Sequence, residues 1–151
     1  MKNLVKTLLG ASIIALSAMP ASAATLDDVK KAGTLRCGVN TGLPGFGYQG
    51  DDGEWMGFDV DYCRAVAAAV FDGDGTKVQF TPLSAVQRFP ALQNNEVDLL
   101  ARNTTWTMNR DTALGLNFVG VNYYDGQGFM VRKDLDVTSA LQLSGATVCV
   151  Q

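Results

Sequence analysis

The chain has 151 residues, with 12 Lys or Arg, 15 Asp or Glu and no His, so its formal net charge at pH 7 is −3. This acidic balance does not supply the basic surface by which proteins bind nucleic acid, and no nucleic-acid partner is expected. The sequence has no Gly-x-Ser-x-Gly motif, no paired metal-ligand spacing and no phosphate-binding glycine loop, so catalysis, a metal site and a cofactor are poorly supported.

The first 23 residues have the pattern of a secretory signal peptide. Lys2 and Lys6 precede an apolar run at 8–19, and residues 21–23 (Ala-Ser-Ala) are the small residues that a signal peptidase requires. The apolar run is too short for a membrane-spanning helix of about 20 residues, and no Cys follows to accept a lipid anchor. A buried N-terminal helix would explain only the apolar run. We therefore predict export of a soluble mature chain.

The mature chain begins with alternating short helices and strands. A helix is predicted over 26–33 and a strand over 34–40, followed by a Gly- and Pro-rich loop at 41–48. A turn at 51–53 predicts a hairpin, and Asp59 can cap the next helix. The apolar face of that helix consists of Val60, Cys63, Ala67 and Val70.

Two further strands follow, at 77–82 and 97–101. Between them lies a helix that Ser84 can cap and that Pro90 kinks or delays, with apolar residues Val86, Phe89 and Leu92. The alternation predicts an α/β fold with a mixed, mainly parallel sheet, flanked by helices and joined by right-handed crossovers.

The last third of the chain has a weaker pattern. Thr107 can cap a short helix over 108–115, and a strand is predicted over 128–132. The remaining pattern is a polar linker, a brief helix and the first strand of a new sheet, at 133–136, 139–143 and 147–151. That last strand has no turn or helix after it, so we expect the chain to be truncated there.

Three Cys in an exported protein leave at least one thiol without a partner in the chain. Cys37 and Cys63 could form a disulfide, or each could be a small buried apolar residue, because both fall within apolar patterns. The sequence leaves both alternatives open. If they do pair, the partner of Cys149 lies beyond residue 151.

The candidate binding residues lie where predicted strands end. In parallel sheets, ligands bind beyond the carboxyl ends of the strands, where the loops 41–48 and 102–110 are expected. The second loop combines Arg, Thr and Asn side chains with the start of a helix, and this array of donors suits a carboxylate. Alternatively, Arg110 pairs with Asp111 or another surface acid, and Thr105 and Thr107 only cap the helix.

Several motifs occur in the order and spacing of one protein family. They are Gly-Phe-Asp-Val-Asp at 57–61, Phe-Pro-Ala-Leu at 89–92, Glu-Val-Asp at 96–98, the segment 102–110 and Tyr-Tyr at 123–124. On these motifs the chain resembles the polar amino-acid-binding proteins of ABC transporters, and most closely the general L-amino-acid-binding branch. The resemblance implies a type II periplasmic-binding-protein fold, with two α/β lobes that close on one ligand.

The resemblance also implies roles for individual residues. Arg110 matches the arginine that binds the ligand α-carboxylate, and Thr105 and Asn103 match further hydrogen-bonding positions. Arg102 belongs to the same donor-rich segment and is included with them. The acid that binds the ligand ammonium group in relatives is expected in the second lobe, because Asp61 and Asp98 are better explained as structural residues.

Around the ligand side chain the resemblance is less complete. Asn40 matches a polar position near the side chain, and Phe89 matches a pocket-lining position. Leu43 stands where many relatives have a stacking aromatic residue, and Phe46, Tyr48 or Trp106 could substitute for it. With a neutral Asn40, we expect recognition of many L-amino acids.

The implied function is that of a periplasmic substrate-binding component of an ABC importer. It would act as a monomer, capture L-amino acids without a cofactor and deliver them to the permease of the inner membrane. We expect a signal peptide at 1–23, lobe 1 at 24–132, incomplete without a C-terminal return segment, and a linker with the first strand of an otherwise missing lobe 2 at 133–151.

Two alternatives use the same bilobal fold. One is a periplasmic dehydratase that acts on a carboxylated ring substrate, for which Glu54 and Asp59 are the available acids. The other is a sensor domain, which a transmembrane segment or a kinase domain after residue 151 would reveal.

Overall fold

A computed structural model describes residues 25–149, so the signal-peptide prediction lies outside the described residues. The helices are α1 (Thr25–Ala32), α2 (Phe58–Val70), α3 (Arg88–Gln93) and α4 (Met108–Ala113). The strands are β1 (Leu35–Asn40), β2 (Tyr48–Gln49), β3 (Trp55–Met56), β4 (Val78–Leu83) and β5 (Leu99–Leu100). Two single-turn 3-10 helices follow, at Lys133–Leu135 and Ala140–Leu143.

The main sheet has three strands in the order β4-β1-β5, and both pairings of β1 are parallel. The register places Leu35 opposite Val78 and Asn40 opposite Leu83, while Cys37 lies opposite Leu99. Helices α2 and α3 connect successive strands, and β2 and β3 form a separate antiparallel hairpin. The predicted α/β fold with a parallel sheet and flanking helices is confirmed.

Helices cover both faces of β1, since successive side chains of a strand point to opposite faces. On one face, Cys37 and Val39 pack with α2, whose residues Val60, Cys63 and Ala67 are fully buried. On the other face, Leu83, Ala91 and Val97 form a cluster above Gly38. A Cβ atom at Gly38 would lie 2.7 Å from Cδ1 of Leu83, so this cluster approaches the strand backbone closely.

A disulfide joins Cys37 of β1 to Cys63 of α2. Both residues are fully buried, and their Cα atoms are 6.3 Å apart. Of the two alternatives that the sequence leaves open, the structure has the disulfide. Cys149 is exposed and unbonded among the described residues.

The prediction that Asp59 caps α2 is wrong. The cap position is Gly57, at a φ of 116° that favours glycine, and a Cβ atom there would collide with the carbonyl oxygen of Phe46. The first N–H groups of the helix, from Phe58 and Asp59, donate instead to the carbonyl oxygens of Gly45 and Phe46. The backbone of the loop at 41–47 therefore caps the helix, and Asp59 is buried in its first turn.

The helix around Pro90 begins later than a cap at Ser84 predicts. Ser84 exchanges hydrogen bonds with Gln87 in a turn, and the helix itself begins at Arg88, which places Pro90 in the first turn where its missing N–H is tolerated. Because the turn precedes the helix, Val86 is 83% exposed rather than part of the apolar face.

The strand predicted over 128–132 does not form. Residues 147–149, the described part of the last predicted strand, are not a strand either. In the described part of the chain no strand lies beside either segment, so their backbone groups have no ladder to join. The helix predicted at 139–143 is present as a 3-10 turn with Ser139 as its cap. No helix among residues 25–149 is long and apolar enough to cross a membrane.

Removal of the disulfide should destabilise the protein, with any segment after residue 151 included. The double variant Cys37→Ala/Cys63→Ala should lose about 3 kcal/mol of unfolding free energy, because the unfolded chain regains the freedom of the closed loop. Urea unfolding measures the loss, and Cys149→Ala, at an exposed site, is the control. Equal midpoints for the wild type and the double variant would contradict the prediction.

Asp59 should make stability depend on pH. It is 3% exposed, and burial raises its pKa to about 6, an effect that the charge of Arg102 partly offsets. The folded state thus holds this proton more tightly than the unfolded state, so stability falls as pH rises from about 4 to about 6. The loss should be about 3 kcal/mol.

The comparison of the wild type with Asp59→Asn isolates this effect. The stability of the wild type relative to the variant should decline between pH 4 and pH 7 in urea unfolding. Asp61 is an exposed acid in the same turn, and the stability of the wild type relative to Asp61→Asn should not change over this pH range. A difference between wild type and Asp59→Asn that does not change with pH would exclude Asp59 as the source.

Candidate functional site

The candidate site lies at the carboxyl end of the parallel sheet. The side chain of Asn40, the last residue of β1, donates from Nδ2 to Oδ1 of Asn103 at 2.9 Å. These residues are 63 positions apart in sequence, and the parallel pairing of β1 with β5 brings them together. The two loops predicted at this edge therefore meet there.

The first loop is tied to the end of its own strand. Oδ1 of Asn40 accepts a hydrogen bond from the backbone N–H of Gly42 at 3.0 Å. The loop then turns back on itself, with a bridge between Leu43 and Gly47, before it caps α2. Asn40 thus uses its oxygen and one N–H within the protein.

Arg102 lies in the floor of the site and is 8% exposed. Its guanidinium donates from Nη1 to the carbonyl oxygen of Leu83 and from Nη2 to Oδ1 of Asn103, the latter at 2.8 Å. Burial lowers the pKa of Arg102, and the nearby charge of Asp59 partly offsets that effect. The contacts of Arg102 are with the ends of β4 and β5, beneath the surface that a ligand would reach.

Arg88 is a site residue that sequence analysis missed. It is 9% exposed, donates from Nη1 to the carbonyl oxygen of Asn103 at 3.1 Å, and places its guanidinium 4.9 Å from the ring centroid of Phe89. Burial lowers the pKa of Arg88, and the charges of Arg102 and Arg110 lower it further. The sequence did contain one signal for Arg88. A cation at the start of a predicted helix opposes the helix dipole, so its presence there suggests a role other than helix stabilisation.

Arg110 lies in the first turn of α4, which Thr107 caps as predicted. Oγ1 of Thr107 accepts from the backbone N–H of Arg110 at 3.3 Å. The guanidinium donates from Nη1 to the carbonyl oxygen of Thr105 at 2.9 Å and lies 5.2 Å from the ring centroid of Phe89. Among the described residues Arg110 forms no ion pair with Asp111, so that alternative is not what the structure has.

Phe89 contacts two guanidinium groups, those of Arg88 and Arg110. A cation over an aromatic face is attracted by the ring quadrupole. The ring therefore links Arg110 to Arg88, which binds the backbone carbonyl of Asn103. The site residues predicted from the sequence meet in this cluster, namely Asn40, Phe89, Arg102, Asn103, Thr105 and Arg110.

The cluster is rich in positive charge. Arg88, Arg102 and Arg110 converge on it, and among the described residues Asp59 is the carboxylate that acts on Arg102. Asp98, by contrast, forms a forked ion pair with Arg36, as expected of a structural acid. The Nε atoms of Arg88 and Arg102 are buried and have no hydrogen-bond partner within residues 25–149. Such a cluster favours an anionic ligand, which would supply the missing charge.

The aromatic candidates for the Leu43 position are engaged elsewhere. The ring of Phe46 packs edge-on against Tyr123 at 5.0 Å and also contacts Phe58. Trp106 stacks on Phe118 at 5.1 Å, and Tyr48 belongs to the hairpin. The contacts of these three residues in this structure are thus with other aromatic rings and within the hairpin, and the stacking role stays a prediction.

A cavity of about 160 Å³ borders the cluster at the outer edge of β5. Its lining includes Phe89, Arg102 and Thr104, together with apolar residues such as Leu92 and Phe118. The cavity lies beside β5, and neither Asn103 nor Arg110 lines it, so we do not identify it with the carboxylate site. Among residues 25–149 no group of His, Cys, Asp and Glu is placed to hold a metal ion.

Comparison with known proteins identifies the family of the chain. Residues 35–140 match the bacterial extracellular solute-binding proteins, family 3. The chain is 62% identical to the general L-amino acid-binding periplasmic protein of Rhizobium johnstonii, over 100% of the chain and 44% of that protein. It is 59% identical to the glutamate/glutamine/aspartate/asparagine-binding protein of Rhodobacter capsulatus, over 93% of the chain and 41% of that protein.

A solved structure is similar as well. It is an ABC transporter/periplasmic binding protein from Brucella ovis with glutathione bound, with a TM-score of 0.80 and 65% identity over 85% of this chain and 40% of that one. The chain thus spans less than half the length of the relatives that it matches. The predicted periplasmic-binding-protein-like lobe is confirmed, and the chain belongs to the bacterial extracellular solute-binding proteins, family 3.

Proposed function

We propose that the chain forms the carboxylate-binding part of a periplasmic substrate-binding component of an ABC importer that captures L-amino acids. The observation that carries this proposal is the convergence of Arg110, Asn103 and two further arginines at the carboxyl end of the sheet, with one carboxylate nearby. A ligand carboxylate would supply the anion that this cluster lacks.

Arg110 is the residue best placed to bind that carboxylate. It is partly exposed, keeps free donors beyond the one that Thr105 accepts, and is steadied by the ring of Phe89. Its planar fork can donate two parallel hydrogen bonds to a carboxylate. The exposed Asn103 and Thr105 stand beside it as further hydrogen-bonding groups.

Broad recognition of the ligand side chain is part of the proposal. Asn40 carries no charge, and its oxygen and one N–H are committed to Gly42 and Asn103, so it exerts little selection on charge. The names of the relatives support breadth, since one is a general L-amino acid-binding protein and another binds both acids and their amides. The glutathione in the Brucella ovis structure is a further carboxylate-bearing ligand.

The rest of the assembly is proposed by analogy with these relatives. Residues 1–23 would direct export, residues 24–132 would form lobe 1, and residues 133–151 would lead into a second lobe that supplies the ammonium-binding acid. The closed protein, a monomer, would then dock on a permease in the inner membrane. Closure around both charged ends of the ligand would give selectivity, because an unpaired buried charge is strongly disfavoured.

The dehydratase alternative receives less support. The similar proteins named above are binding proteins, and the two acids available for it are not placed for catalysis at the cluster. Glu54 is exposed in the hairpin, and Asp59 is buried beneath the loop that caps α2. We therefore propose a protein that binds its substrate without transforming it.

Arg110→Ala should abolish tight binding of L-amino acids. Loss of a charged, forked contact in a closed cleft should weaken binding at least about 100-fold. Titration calorimetry of the exported protein, including any segment after residue 151, against L-amino acids measures this, with D-isomers and sugars as ligand controls. Lys77→Ala removes a positive charge just before β4, at the opposite end of the sheet, and should leave affinity unchanged.

Two outcomes would contradict the proposal. If the wild type binds none of the L-amino acids tested, the dehydratase alternative regains support. If it binds them but Arg110→Ala binds equally well, the carboxylate must be held by other residues.

A further inference from the structure

A directed chain of hydrogen bonds fixes how the side-chain amide of Asn103 is turned. At one end, the backbone N–H of Gly42 can only donate, so the atom of Asn40 that it contacts is the acceptor Oδ1. At the other end, a guanidinium also can only donate, so the atom of Asn103 that Arg102 contacts is likewise Oδ1. Between them, Nδ2 of Asn40 donates to that same oxygen. Both ends of the chain therefore require the same orientation.

This arrangement leaves the side chain of Asn103 with donors only. Its Oδ1 accepts from Asn40 at 2.9 Å and from Arg102 at 2.8 Å, and its backbone carbonyl accepts from Arg88 at 3.1 Å. The side-chain group that remains free to contact a ligand is the Nδ2 NH2 of the amide, which is exposed and lies beside the guanidinium cluster. Rotation of the amide would bring its N–H groups against the donors of Arg102 and Asn40, which is unfavourable.

From this we infer that the side chain of Asn103 is a donor-only contact that selects a carboxylate, and that Asn40 is a positioning residue that holds it in this orientation. The inference rests on the proposed function and deepens it, because it names the part of the ligand that this residue distinguishes. A carboxylate can accept from the free donors of Asn103 and Arg110. A carboxamide at the same place would turn two N–H groups of its own toward donors.

The orientation of Asn103 is tested by an isosteric substitution. In Asn103→Asp, one carboxylate oxygen keeps the contacts to Arg102 and Asn40. The other oxygen, which is negatively charged, takes the place of the amide NH2 group that would face the ligand. Asn103→Ala should weaken L-glutamate binding about tenfold to hundredfold, as the loss of a hydrogen bond to a charged group does. Asn103→Asp should bind at least about tenfold more weakly than Asn103→Ala, because it also repels the ligand.

Asn109→Asp is the matched control, since it adds the same charge on α4, a few residues away in sequence. It should change affinity no more than about threefold at moderate ionic strength. If Asn103→Asp binds L-glutamate as tightly as Asn103→Ala, or more tightly, the amide oxygen faces the ligand and the inference is overturned.

The role of Asn40 is tested by ligand discrimination. Asn40→Ala adds no charge and removes the donor that Oδ1 of Asn103 accepts from this side, so that Arg102 alone holds the amide and Oδ1 can turn toward the ligand. The ratio of the Kd of the α-carboxamide of L-glutamate to the Kd of L-glutamate should then fall about threefold to tenfold from its wild-type value, up to the scale of one hydrogen bond. A merely structural role would weaken both ligands equally and leave the ratio unchanged, which would refute the positioning role.

A measurement without ligand separates this inference from the proposed function. In the isotope-labelled exported protein, the side-chain amide protons of Asn40 should exchange with solvent more slowly than those of Asn103. Comparable exchange at both residues would overturn the orientation. If exchange follows the expected order but no L-amino acid binds, the orientation stands as a structural fact, while the proposed function and the ligand selectivity of Asn103 both fail.

Discussion

The parallel pairing of β1 with a strand on each side is the constraint on which the rest of the structure depends. Parallel strands end at the same edge of a sheet, so the residues that follow β1, β4 and β5 become neighbours although they lie far apart in sequence. Asn40, the carbonyl of Leu83 and the side chain of Asn103 are the three groups delivered to that edge. Arg102 contacts two of them directly, and thereby ties the ends of β4 and β5 together.

The edge is held in place from one side by α2. The disulfide fixes this helix to β1, and the loop that leaves β1 returns to cap the same helix with the carbonyls of Gly45 and Phe46. Only glycine fits at position 57, where the loop and the helix meet most closely. The first N–H groups of α2 therefore form hydrogen bonds within the protein. The candidate ligand-binding residue Arg110 lies instead at the start of α4. This close packing also buries Asp59, and burial raises the pKa of its carboxyl group.

The electrostatics of the site oppose the stability of the fold. Arg88 and Arg102 are both buried with lowered pKa values, each with an unpartnered Nε atom, and the charges of Arg102 and Arg110 add repulsion at Arg88. Buried cations of one sign are unfavourable unless an anion joins them. The same arrangement that weakens the protein would favour the anionic ligand that we propose, a relation between stability and function that is common at binding sites.

The sequence by itself determined the features that depend on local patterns. The alternation of elements predicts the parallel sheet, the apolar spacing predicts the buried face of α2, and Thr107 with the segment after it predicts a capped helix and a donor-rich loop. Tertiary structure decided every feature that depends on a distant partner. The strand expected at 128–132 has no neighbour to pair with among the described residues, and the cap expected from Asp59 is supplied by a loop that packs against it. The disulfide, the buried Arg88 and the hydrogen bond between Asn40 and Asn103 join residues 15 to 63 positions apart, and periodicity, which reports only on neighbours along the chain, carries no record of such contacts.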